Sequence, residues 1–258
     1  MAVTIQTRKG SPPSPVRGAR CRVPSRGFTL VDILVSMSVI IVLISLLLPS
    51  LAAVRETTRK VVCASNVRQV GLGIMMYAQD TRDVIPYSRF APNGGTSQPK
   101  PVLTMKLRIA TPTEHFDGLG RLFASDYLAA PGVFYCPSHV AEHRFDEYQS
   151  QWASLTGEIY GNYQYRGAAP NGQTRLPSPS QRGFALVTDG LTQIDFNHKV
   201  GSNVLLADMS LAWFEDQSKQ FLAQLPVKDV DSQADQKVRD AWLELDAKLG
   251  TISPPPAP

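Results

Sequence analysis

The side chains able to do chemistry in this chain of 258 residues are few and scattered. Three cysteines (Cys21, Cys63, Cys136) and four histidines (His115, His139, His143, His198) are spread along it. No CxxC pair occurs, so local spacing predicts no zinc site. His198 and Asp208 are separated by nine residues and could form an acid–base pair. The short strand patterns around them instead put Asp208 at a hairpin turn, where aspartate is a turn former. Ser138 follows Cys136-Pro137 without an obvious base. His115, His139 and His143 with Asp146 and Glu147 could be drawn as a metal site, but a solvated loop is the expected reading. No GxSxG, HExxH or phosphate-cradling loop is present, and no Asp-rich loop has calcium-binding spacing. The expectation is therefore no catalytic residue, no metal and no cofactor, and a protein that is not an enzyme.

Charge is unevenly placed. Residues 1–27 hold six basic side chains (Arg8, Lys9, Arg17, Arg20, Arg22, Arg26) and no acid. From Phe28 onward 20 basic residues face 22 acidic ones. The overall basicity belongs to the first segment, so nucleic-acid binding by the remainder is not expected. If that segment is removed, Cys21 leaves with it. The remaining pair, Cys63 and Cys136, is compatible with one disulfide in an exported domain, or with two buried free thiols.

What must position these groups begins with RGFTLVDILVSMSVIIVLISLLLPSLAAV at 26–54. Residues 33–54 carry no charge, and their serines can bond back to carbonyls of their own helix. With 28–31 the run is long enough to cross about 30 Å of hydrocarbon at about 1.5 Å per residue. The preceding basic residues predict a cytoplasmic N-terminus and a body on the far side. A secretory signal peptide would have a shorter apolar core, of roughly 7–15 residues. A plain signal anchor would more often omit Asp32, since an acid costs roughly 2.5–3.5 kcal/mol at a membrane helix centre and less near an interface. Pro49 reads equally as a kink within a longer helix or as the end of the span.

The run RGFTLVDILVSMSVI resembles the N-terminal motif of type IV prepilins and type II secretion pseudopilins. The resemblance implies cleavage between Gly27 and Phe28 by a prepilin peptidase, with N-methylation of Phe28. It places the family's assembly carboxylate on Asp32, where glutamate is usual. A lone carboxylate in lipid can pair with the new amino terminus of a neighbouring subunit when helices pack side by side.

Beyond the span, VRETTRKVVCASNVRQVGLGIMMYAQD at 54–80 keeps helical spacing of apolar residues with charges between them. One helix over about 28–78 is expected, apolar in its first half and amphipathic in its second, with Gly71 and Gly73 read as points of close packing. Turn signals make 82–101 a loop. Residues 119–128 read as a short helix. Strands are expected at 132–136, 159–165, 183–188, 203–207 and 211–214. An amphipathic helix is expected at 233–249 with Ser232 as N-cap, followed by a disordered PPPAP tail. This order predicts an α+β fold, with a long N-terminal helix packed on a small antiparallel sheet. The expected division is a leader (1–27), a transmembrane helix (28–54), its amphipathic continuation (55–80), a globular domain (81–230), a C-terminal helix (231–250) and a tail (251–258).

VVCASNVRQVGLGIMMYAQD, FYCPS and FNHKVGSNVLLAD also resemble a branch of pseudopilin-like proteins common in planctomycete-type bacteria. A cysteine after the membrane helix, a Cys-Pro-Ser segment and an H-x9-DG element mark that branch. His198 and Asp208 fall on the last of these, with Met209 in place of glycine. The resemblance implies a single-pass inner-membrane protein with a periplasmic body, built into a type II secretion pseudopilus or type IV pilus-like filament. Its partners would be a prepilin peptidase, like subunits, the membrane and an assembly platform. The alternative is a membrane-anchored extracytoplasmic binding module.

Overall fold

The computed structural model describes residues 27, 29–92, 99–110, 115–178, 183–198, 200–228 and 230–250, without the side chains of Pro49, Ser50 and Ala52. The leader up to residue 26, Phe28 and the tail from residue 251 lie outside these. The chain forms two compact units, Met1–Ser50 and Leu51–Pro258. Helix α1, Leu30–Asp80, contributes to both.

In the first unit Thr29 and Asp32 form a reciprocal cap. The Asp32 amide donates to the Thr29 hydroxyl oxygen at 3.2 Å, and the Asp32 carboxylate accepts from the Thr29 amide at 3.0 Å. This satisfies N–H groups that the first helical turn leaves without a carbonyl. Ser36, Ser38 and Ser45 donate to carbonyls three residues back, as their position in an apolar helix requires. Every described side chain from Leu30 to Leu48 is exposed. With a mean hydropathy of 2.8 in its most apolar window, the helix is long and apolar enough to cross a membrane. The helix continues on both sides of Pro49, so that residue does not end it.

In the second unit α1 turns one face inward. Cys63, Val67, Val70, Ile74 and Ala78 are buried along it, at steps of three or four residues that keep them in one stripe. Gly71 lets the helix approach the sheet: a Cβ there would stand 2.9 Å from the Leu205 methyls. Gly73 does the same against Leu128 at 3.1 Å.

Among the described residues the body holds two antiparallel sheets where one was expected. β1 (Lys106–Ile109) lies between β2 (His115–Phe116) and β3 (Ile159–Tyr160). The larger sheet runs β4 (Tyr163–Tyr165), β5 (Ala185–Asp189), β6 (Gly201–Leu206), β7 (Leu211–Glu215) in spatial as well as chain order. All of β5 and β6 is buried, because helices cover both faces. Leu205 and Ala207 face the core that α1 enters. Val204 and Leu206 face α5 (Ala234–Leu249) through Val238, Trp242 and Leu245. Short helices α2 (Gly120–Ala124), α3 (Gln149–Ser154) and α4 (Gln220–Gln224) complete the body.

Three local expectations are corrected. Residues 132–136 are not a strand: Pro131 starts a 3-10 turn, Pro131–Phe134, since its fixed φ suits a first helical turn. The run expected as one strand over 159–165 is two, in different sheets, broken at Gly161-Asn162. There the Asn162 side chain accepts the Cys136 amide at 3.2 Å and its own amide donates to the Phe134 carbonyl at 3.1 Å. The N-cap of α5 is Gln233, not Ser232, and Asp231 accepts the Gln233 amide at 2.9 Å.

Gly120 meets the tightest approach in the fold: a Cβ on it would lie 1.9 Å from the Leu107 carbonyl oxygen. Backbone cannot swing away as a side-chain tip can. Gly120→Ala is expected to lose about 1–3 kcal/mol or more by forcing α2 off β1, read from a denaturant midpoint that falls without a change in slope.

Candidate functional site

Four buried side chains from distant parts of the sequence converge. Cys63 comes from the inward face of α1, Cys136 from just after the 3-10 turn, Asp189 from the last position of β5, and His198 from the loop before β6. One ligand atom from each lies within 4.8 Å of all the others, close enough for a single metal ion to bind all four. The Cys63 thiol donates to Asp189 Oδ1 at 3.2 Å. Cys136 Sγ lies 3.5 Å from His198 Nε2, and Asp189 Oδ2 lies 3.9 Å from the same nitrogen.

Each polar member is held from behind. His198 Nδ1 donates to Glu56 Oε1 at 2.9 Å, which turns Nε2 toward the sulfurs. Glu56 also accepts the Ser138 hydroxyl at 3.1 Å. Asp189 accepts the Asn203 amide at 2.8 Å and the Asn197 side-chain amide at 3.2 Å. Gly190 follows because Asp195 folds back over it: a Cβ there would stand 2.4 Å from the Asp195 Cβ.

The environment divides the protons unequally. Burial pushes the Cys63 thiol far up, with the Cys136 hydrogen bond and the Asp189 charge adding to it. Burial also works upward on Cys136, but hydrogen bonds from Cys63 and His198 outweigh it and hold this thiol below its ordinary value. At His198 burial works downward and is outweighed by the hydrogen bond to Cys136 and the charge of Asp189, which lift the imidazole to about 9.

Of the two readings for Cys63 and Cys136, a disulfide or two buried free thiols, the structure has the second: both are free and buried. They are neighbours, but Asp189, His198 and Tyr163, whose hydroxyl lies 3.5 Å from Cys63, share their space. His198 and Asp208 do not pair. Asp208 is exposed in the β6–β7 turn, where it accepts the Ser210 amide at 2.8 Å and hydroxyl at 2.6 Å. Met209 takes the positive φ of 69° that glycine would adopt more easily. Spacing gave no warning of a possible metal site, because its donors are not local in sequence. Asp189 and Glu56 were missed altogether. Asp189 follows directly on the strand expected at 183–188, and its complete burial was the unreadable part.

The loop histidines are also rearranged. His139 and His143 each bring a ring nitrogen within 3.8 Å of Asp195 Oδ1, and His143 stacks on Tyr160 at 4.3 Å. His139 is buried rather than solvated, while Asp146 and Glu147 stay exposed, and Glu147 accepts the His143 amide at 2.9 Å.

A family model described as "Protein of unknown function (DUF1559)" matches residues 52–196, more than half of the chain. The chain belongs to this family. The matched segment contains Glu56, Cys63, Cys136 and Asp189 and ends just before His198. No curated protein and no solved structure matches the chain. Family membership and the apolar N-terminal helix are compatible with a membrane-anchored pilin-like protein.

Proposed function

We propose that this chain is a prepilin-like structural subunit. It would be inserted with its N-terminus in the cytoplasm, cut after Gly27 and N-methylated at Phe28. It would then assemble through α1 into a type II secretion pseudopilus or type IV pilus-like filament. The observation that carries this reading is the surface of α1. Its first part exposes apolar side chains all round. Its later part, opposite the buried stripe, keeps an exposed apolar line of Val54, Val61, Leu72 and Met76, set seven, eleven and four residues apart. Such spacing stays on one side of a helix, as side-by-side packing with like helices needs. The partners would be the prepilin peptidase, like subunits and an inner-membrane platform.

Mass spectrometry of the protein from cells with an active prepilin peptidase should find N-methyl-Phe28 as the first residue. A chain still carrying its leader there would overturn the reading. Asp32 gives a second test, because its carboxylate caps the helix through Thr29. Asp32→Asn keeps an oxygen to accept the Thr29 amide and removes the charge. A filament subunit should still insert but lose incorporation, since the neighbour's amino terminus has no anion to meet. A tethered binding module would be indifferent.

A further inference from the structure

We propose that Cys63, Cys136, Asp189 and His198 form a four-ligand site for one divalent transition-metal ion, zinc by donor chemistry. Two sulfurs, one imidazole nitrogen and one carboxylate oxygen are ligands zinc takes in closed tetrahedral sites. Metal–ligand bonds of about 2.0–2.3 Å imply donor–donor edges of about 3.4–3.8 Å. The separations of 3.2, 3.5 and 3.9 Å bracket that range. All four donors lie within 4.8 Å of one another, so closure needs side-chain shifts of up to about an ångström at the widest edge.

The support behind the donors argues for a metal more than the donors themselves do. His198 gives its Nδ1 proton to Glu56, leaving Nε2 to face the cluster, the carboxylate–histidine arrangement that orients a metal-binding imidazole. Asp189 is held by a backbone amide and an asparagine, so its oxygens are already aimed. A disulfide would account for the two sulfurs and leave a completely buried carboxylate and a histidine converging on the same point without a purpose. A dication instead offsets two of the three negative charges of two thiolates and a carboxylate that burial would otherwise disfavour. On binding, the thiol protons of Cys63 and Cys136 and any proton on His198 Nε2 pass to solvent, and no electrons move. A cavity of about 290 Å³, lined in part by Cys136, Asn66 and Tyr135, borders the cluster on its Cys136 side. The bound ion would join α1 to β5 and to the segments carrying Cys136 and His198, fixing the helix to the sheet at the place where a Cys63–Cys136 disulfide was the alternative. This holds whether or not the chain enters a filament.

The test uses the full chain in detergent, with Cys21→Ser so that only two thiols are counted. Purified in the presence of zinc, it should carry one ion per chain by elemental analysis. Its thiols should resist a thiol reagent until a chelator is added. Exchange into cobalt(II) should give the intense visible bands of a tetrahedral site together with sulfur-to-cobalt charge transfer. Asp189→Asn should weaken retention of the ion at least tenfold, and His198→Ala should abolish the tetrahedral spectrum. The cobalt spectrum of the unsubstituted site keeps the proposal testable even if a variant fails to fold. A reduced, folded chain that takes up neither ion, or peptide mapping that finds Cys63 bonded to Cys136 in protein purified with zinc, overturns it.

Discussion

Ile74→Ala should lower the unfolding free energy of the body by about 2–5 kcal/mol, the range for truncating a buried isoleucine to alanine without full collapse of the cavity. Ile74 is completely buried on the inward stripe of α1. Gly71 and Gly73 bring the helix close to Leu205, Leu122 and Leu128 around it, so little slack remains to fill the hole. Leu72, two residues earlier, is 55% exposed. Leu72→Ser should therefore leave the denaturant midpoint nearly unchanged, since surface substitutions usually stay within about 0.5 kcal/mol. If the exposed line on α1 is a packing face, that same variant should reduce filament incorporation. The pair separates the two faces of one helix. Equal stability losses from both substitutions would show that the buried stripe does not join α1 to the body.

Asp246→Ala should cost about 3–5 kcal/mol, because it strands a buried guanidinium. Arg166 Nη1 donates to Asp246 Oδ2 at 2.7 Å, and both side chains are nearly inaccessible, at 9% and 12%. Asp246 Oδ1 also accepts the Ala185 amide at 2.8 Å, so α5 is tied directly to the first residue of β5. The Arg166 guanidinium lies 5.6 Å from the ring centres of both Phe184 and Trp242 and otherwise donates to the Ala185 carbonyl at 3.2 Å. Replacing Arg166 and Asp246 together by Met and Leu should recover most of the loss, because the charge and its partner leave together. Denaturant unfolding of the three proteins measures this. A double variant as unstable as Asp246→Ala alone would place the cost in packing rather than in an unpaired charge.

Helices were the most legible elements. The apolar run and its amphipathic continuation announce α1 because apolar side chains recur with the helical period over many turns. The same period marks α5 through Val238, Trp242 and Leu245. The strand run at 203–207 was legible too, but as a strand with one covered face. Its burial on both faces depends on α5, which begins only at Ala234. The 3-10 turn at Pro131–Phe134 was misread because aromatic and β-branched residues resemble a strand locally, while Asn162 supplies the hydrogen bonds a ladder would have given.

The chain order alone settles an apolar helix with an acid in its first turn, an α+β body behind it, and the separation of leader charge from the rest. Those properties are written in neighbouring residues, at periods of two or near four. The cluster of Cys63, Cys136, Asp189 and His198 is not written that way. Its members lie between nine and 135 positions apart. No local pattern links them, and only the packing of α1 against the end of β5, with two loops folded over that contact, brings their donor atoms within 4.8 Å.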